Sequence, residues 1–127
     1  MFSDRRKATM MKLHGIANCD TVKKARAWLD ANAIGYEWID FRKSPPSRAT
    51  LERWAGAAGW EKLLNRRGTT WRKVPPEQQS AVRDAASAIA LMQARPTLIK
   101  RPVIETDGEV SVGFDTEDYA RRFMKPA

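Results

Sequence analysis

The sequence predicts an α/β fold: a mixed four-stranded sheet flanked by helices, with a helical subdomain inserted between its halves. Three observations carry this. Two strand-like segments with a helical pattern between them occupy residues 11–41, an order that needs a crossover and therefore parallel pairing. Asp107-Gly108, the strongest short hairpin signal, lies between two further strand-like segments near the other end. In the stretch between these halves, at about 44–95, apolar residues recur mainly at helical spacing.

Each element has a local reason. "MKLHGI" (11–16) alternates Met11, Leu13 and Gly15 against Lys12, His14 and Ile16, as a short strand does. Asn18 to Asp20 offers capping residues for a helix whose apolar face is Val22, Ala25, Trp28, Leu29 and Ala33. Gly35 is the expected stop. "YEWIDF" (36–41) is aromatic and β-branched, a good strand. Pro45 and Pro46 break the chain, and Ser47 opens a helix with a stripe of Leu51, Trp54, Ala55 and Ala58, ended by Gly59. "WEKLL" (60–64) reads as a further helical turn, and "NRRGTTWRKVPP" as too irregular for a long element. Helical spacing returns over 77–94, in one or two pieces, and Arg95-Pro96 closes it. "TLIKRPVIE" (97–105) reads as a strand containing a proline, and "VSVGF" as its hairpin partner. Thr116 is the expected cap of a last helix with Tyr119, Ala120 and Phe123 on its apolar side. The order β-α-β, helical block, β-β-α is that of a thioredoxin-like fold with an insertion.

Composition narrows the function classes. The 127 residues suggest one domain, here 11–124. Residues 1–10 read as a disordered basic leader, with Met11 as a candidate start. No apolar run approaches the roughly 18 residues of a membrane helix. A single cysteine excludes an internal disulfide and points to a reducing, cytoplasmic compartment. One histidine and one cysteine with no cluster around either argue against a metal site, and no bound cofactor is expected. The net charge is +8, and Lys62, Arg66, Arg67, Arg72 and Lys73 form a basic cluster. Such a surface suits anionic small molecules or acidic proteins. Without a helix-turn-helix or zinc-finger pattern, direct nucleic-acid binding is not expected.

The cysteine has a chemically special position. An unperturbed thiol with a pKa of about 8.5 is only about 3% ionised at pH 7, whereas a pKa near 6 gives about 90% thiolate. Free N–H groups and the dipole at a helix N-terminus favour the anion, and Cys19 sits where the first helix starts. Lys23 and Lys24 follow one turn later. The residue three positions on is Val22, so no CxxC dithiol cycle is possible and any redox cycle needs an external thiol. The bland alternative is a small buried hydrophobe.

Two further features bear on this. In "KRPV" (100–103), a proline forfeits a ladder hydrogen bond. In a thioredoxin-like architecture a cis proline starts this strand and faces the reactive cysteine, which brings Arg101 toward Cys19. "LLNRRGTTWRK" (63–73) sets arginines beside a glycine and two threonines, as an anion-handling loop does. His14 reads as a strand residue rather than a base. The tryptophans at 28, 38, 54, 60 and 71 read as core or groove walls.

"HGIANCDTVKKARAWL", "DFRKSPPSRATLERW", "LLNRRGTTWRK" and "LIKRPVIETDGEVSVGF" together resemble the arsenate reductase family (ArsC/Spx), and within it the YffB-like branch. The resemblance runs from about residue 11 to 123. It implies a thioredoxin-like fold with Cys19 as the nucleophile. In the glutathione-coupled arsenate reductases that thiolate attacks arsenate, and glutathione and glutaredoxin resolve the adduct. Arg101 before Pro102 matches an arginine that holds the oxyanion. The family's earlier arginine falls at Asn65, with Arg66 and Arg67 beside it. A third arginine of those enzymes is replaced here by Gly113 or Phe114. The YffB-like resemblance implies instead a glutathione-dependent thiol reductase, with glutathione as co-substrate. Asn18, Arg66, Arg67, Arg101 and Pro102 would bind the substrate or glutathione, and the protein would be a monomer. The Spx branch implies the alternative, a non-enzymatic regulator that binds RNA polymerase or another protein, although the CxxC switch of that branch is missing.

Overall fold

The computed structural model describes residues 11–124. The basic leader expected at 1–10 lies outside them. The chain forms two compact units. One runs to Asp40 and resumes at Arg101; the other is Phe41–Lys100. No helix among the described residues is long and apolar enough to cross a membrane.

The first unit holds β1 (Met11–Gly15), α1 (Asp20–Ala31), β2 (Tyr36–Asp40) and, after the insertion, β3 (Val103–Thr106), β4 (Glu109–Val112) and α7 (Thr116–Phe123). The sheet order is β2-β1-β3-β4. β1 pairs with β2 in parallel, and β1–β3 and β3–β4 are antiparallel. This is the mixed four-stranded, thioredoxin-like sheet that the sequence predicts. Met11, Leu13 and Ile104 on one sheet face cluster with Val22, Ala25 and Leu29 of α1 and Tyr119 of α7. Lys12 and His14 alternate onto the other face, where His14 Nε2 lies 2.8 Å from Glu105 Oε1.

Three boundaries differ from expectation. The first helix does not reach Gly35: Asn32 caps it, and its Nδ2 donates to the Trp28 carbonyl. Ala33 takes the left-handed conformation, with φ +57°. Ile34 N–H bonds back to Leu29, as in a Schellman ending, and Ile34 packs against the core. Ala33 itself is exposed. Residues 97–105 are not one strand. Pro96–Leu98 is a 3₁₀ turn, Ile99 makes an isolated bridge to Leu64, and β3 begins only after Pro102. Lacking an N–H, Pro102 ends one hydrogen-bonding pattern before the next begins. The last helix is capped by Asp115, whose carboxylate accepts from Glu117 and Asp118 N–H, and Thr116 is its first residue. Ala120 is exposed rather than on the apolar side. The hairpin turn is as expected, with φ +48° at Asp107 and +80° at Gly108.

The second unit contains α2 (Arg48–Ala58), α3 (Trp60–Leu63), α4 (Thr69–Arg72), α5 (Pro76–Ser80) and α6 (Ala85–Ala94). Ser47 caps α2 by accepting from Thr50 N–H, and Gly59 ends it. The stretch 77–94 is indeed two pieces. Trp54 is fully buried and packs on Phe41, with ring centroids 6.2 Å apart.

Gly15 decides how closely α1 approaches the sheet. A Cβ there would stand 2.9 Å from Val22 Cγ2, and valine is stiff at χ1. Gly15→Ala is therefore expected to destabilise the protein by about 1–3 kcal/mol, read by urea unfolding, because the first turn of α1 must move off the end of β1.

Candidate active site

Cys19 is the N-cap residue of α1, with extended backbone (φ −138°, ψ 123°). Capping residues prefer this conformation because their side chain then faces the N–H groups of the first turn. The longer sulfur makes no formal capping hydrogen bond. It nevertheless sits where a capping oxygen would, with the Val22 and Thr21 N–H groups toward it. Burial opposes the anion and is the largest single influence on the thiol. Val22 N–H, Arg101 through a hydrogen bond and its charge, and Thr21 N–H act the other way. Their sum wins: the Cys19 pKa lies below the ordinary thiol value. Cys19 is a free cysteine and only partly buried.

Arg101 enters from the chain just before β3. The Arg101–Pro102 peptide is cis and Pro102 is buried. Gly113 N–H donates to the Pro102 carbonyl at 2.8 Å, continuing the β3–β4 ladder by one bond. Asn18 precedes the cysteine and is exposed. Lys23 and Lys24 are also exposed, and the cationic group that acts on the thiol is Arg101. The two main-chain donors, Thr21 and Val22, carry no side-chain signal. Only the helix start betrays them in sequence.

The chain as a whole is matched by known proteins. The ArsC family model matches residues 14–122. The chain belongs to the ArsC family. A solved structure described as YFFB protein is 46% identical, covers 88% of this chain and 97% of its own, and superposes with a TM-score of 0.84. An arsenate reductase (ArsC) related protein from Brucella melitensis is also 46% identical, with 91% and 96% covered and a TM-score of 0.72. The global transcriptional regulator Spx of Listeria innocua is 27% identical over 91% of this chain and 87% of its own.

The other residues expected at the site in this ArsC-family chain fall in two places. Arg66 and Arg67 belong to the second unit. There they line a cleft of about 330 Å³ with Lys62, Lys100, Asn65 and a single carboxylate, Glu61. Arg66 lies over the Trp60 ring at 5.5 Å, and Asn65 Oδ1 accepts from Arg67 N–H. The cleft is thus strongly cationic, with Asn65 holding the turn between the arginines and the paired leucines. Farther along the chain, Gly113 has φ +87°, and Phe114 packs edge-on against Tyr119 with centroids 5.0 Å apart. The left-handed backbone disfavours any side chain at the first position, and the second belongs to an aromatic cluster. Neither supplies a cation.

Of the tryptophans, Trp54 is core, and Trp28, Trp38, Trp60 and Trp71 are half-buried. Trp28 packs edge-on to Tyr119 at 5.6 Å, and Trp38 lies under the Arg26 guanidinium at 4.3 Å.

Proposed function

We propose that this ArsC-family protein is a glutathione-linked thiol oxidoreductase in which Cys19 is the nucleophile. The observation that carries this is the environment of the sulfur, in which two helix N–H groups and Arg101 outweigh burial and lower its pKa. The Cys19 thiolate attacks the glutathione sulfur of a mixed disulfide, forming a Cys19–glutathione disulfide and releasing the other thiol as its thiolate. A second glutathione thiolate attacks the glutathione sulfur of that adduct, which yields oxidised glutathione and regenerates Cys19. The net reaction consumes one mixed disulfide and one glutathione. No second cysteine is needed, and the chain has none. A glutaredoxin is an alternative resolving partner.

Arg101 serves the anionic sulfur, and in the second unit Arg66 and Arg67 offer forked guanidinium donors that suit carboxylates. Asn18 and the main chain at Pro102 align the peptide. Gly113 and Phe114 bring no third cation, so a disulfide is favoured over arsenate as substrate. A reducing, cytoplasmic setting and a monomeric protein fit this cycle.

The test is mass spectrometry of the reduced protein after exposure to oxidised glutathione. The expected result is one glutathione on Cys19, removed by reduced glutathione. No adduct between pH 6 and 9, on either side of the usual thiol range of about 8.5, would refute the proposal.

The similarity to Spx regulators supports a second reading, a non-enzymatic protein that binds RNA polymerase through its basic cleft. Pull-down with purified polymerase subunits, before and after charge reversal at Arg66 and Arg67, separates the two. No complex at low salt removes the second.

A further inference from the structure

Tyr119 is 1% exposed, and its hydroxyl donates to the Gly113 carbonyl at 2.8 Å. The phenol ring has little freedom: Trp28, Phe114 and Phe123 meet it edge-on at 5.6, 5.0 and 5.2 Å. Gly113 is the joint between β4 and the final loop. Its φ of +87° is open to glycine, and a glycine there has no side chain to hold it in place. Hydrogen bonds flank it on both sides. The Tyr119 hydroxyl takes its carbonyl, and its own N–H reaches the Pro102 carbonyl at 2.8 Å. Pro102 is bonded to Arg101, the residue whose guanidinium acts on Cys19.

We infer that the Tyr119 hydroxyl is a positioning group for Cys19, acting through Gly113 and Pro102 to hold Arg101 against the thiolate. The inference rests on the reading of Cys19 as nucleophile and adds a residue from the far end of the chain to that site. The role is one of positioning, since the hydroxyl bonds to the Gly113 carbonyl. Burial, and then the charge of Asp118, hold its own pKa well above the usual phenol value, so the hydroxyl remains a donor wherever Cys19 titrates.

The experiment is the pH profile of Cys19 alkylation by iodoacetamide in Tyr119→Phe, Arg101→Met and the double variant. Phenylalanine keeps the ring contacts and removes only the donor, so the variant retains its fold, checked by circular dichroism. The expected profile of Tyr119→Phe has a higher midpoint, and its rate at pH values below the wild-type midpoint falls about twofold to threefold. This follows because the thiolate fraction drops faster than nucleophilicity rises. In the Arg101→Met background, Tyr119→Phe changes nothing further, since the path it acts through is gone. A Tyr119→Phe profile that superimposes on wild type, with only a lower melting temperature, overturns the inference while leaving Cys19 as nucleophile. An effect that persists undiminished beside Arg101→Met overturns it as well. An ordinary midpoint in the wild type overturns both the inference and the proposed function.

Discussion

Cys19→Ser is expected to reduce glutathione-dependent disulfide reduction to the uncatalysed background and to abolish the glutathione adduct, while leaving the fold intact. The chain has one cysteine, so no other thiol can take over. A serine hydroxyl neither ionises near neutral pH nor forms a disulfide. The substitution also separates chemistry from folding. Position 19 is the N-cap of α1, and the sulfur makes no formal cap there. Serine is among the best N-cap residues, and good caps contribute about 0.5–2 kcal/mol relative to alanine. The variant is therefore expected to be at least as stable as wild type near pH 6, where the cysteine gains least from ionisation. Measured reductase activity beside a urea unfolding curve checks both halves. Retention of full activity would refute Cys19 as the nucleophile.

The second large effect is at Arg101. Arg101→Met removes two of the influences that favour the thiolate, a hydrogen bond and a charge, while burial remains. The Cys19 pKa is then expected to rise. At any pH below the Cys19 pKa, each unit of rise lowers the thiolate fraction about tenfold. A more basic thiolate is also more nucleophilic, with a Brønsted slope of about 0.4–0.5, so the net loss is about threefold per unit. Alkylation rates across pH check this, and an unshifted profile would show that Arg101 does not tune the thiol.

The same pKa carries a stability signature whose sign follows from linkage. The folded-state pKa of Cys19 is depressed, so the unfolded chain binds more protons between the folded pKa and the ordinary thiol value of about 8.5. The contribution is fully present above the unfolded pKa and is lost as pH falls through the folded one. The difference in stability between wild type and Cys19→Ser should therefore move in favour of wild type as pH rises through that window, and Arg101→Met should shrink the change.

Much of this was legible in the chain because the signals are local. The alternation in 11–16, Ser47 before α2, Gly59 after it and Asp107-Gly108 in the hairpin each act within a few residues, and each appears where the pattern put it. The placement of Cys19 at a helix start is of the same kind. Other local signals lost to competition. Asp115 outcompeted Thr116 as a cap because its carboxylate reaches two N–H groups of the first turn. Gly35 did not end the first helix, since β2 must begin at Tyr36 opposite Met11 and Ile34 must reach the core. The chain turned early, through an alanine.

What the sequence determined by itself was the element order, the mixed sheet and the single thiol at a helix N-terminus. Tertiary structure alone decided that the strand starts after Pro102 rather than before it, that His14 meets Glu105 91 residues away, and that Tyr119 pins Gly113. The physical reason is range. Capping and turn chemistry are satisfied by neighbours in the chain, whereas ladder pairing and buried polar contacts are satisfied by whichever distant segment packing brings alongside.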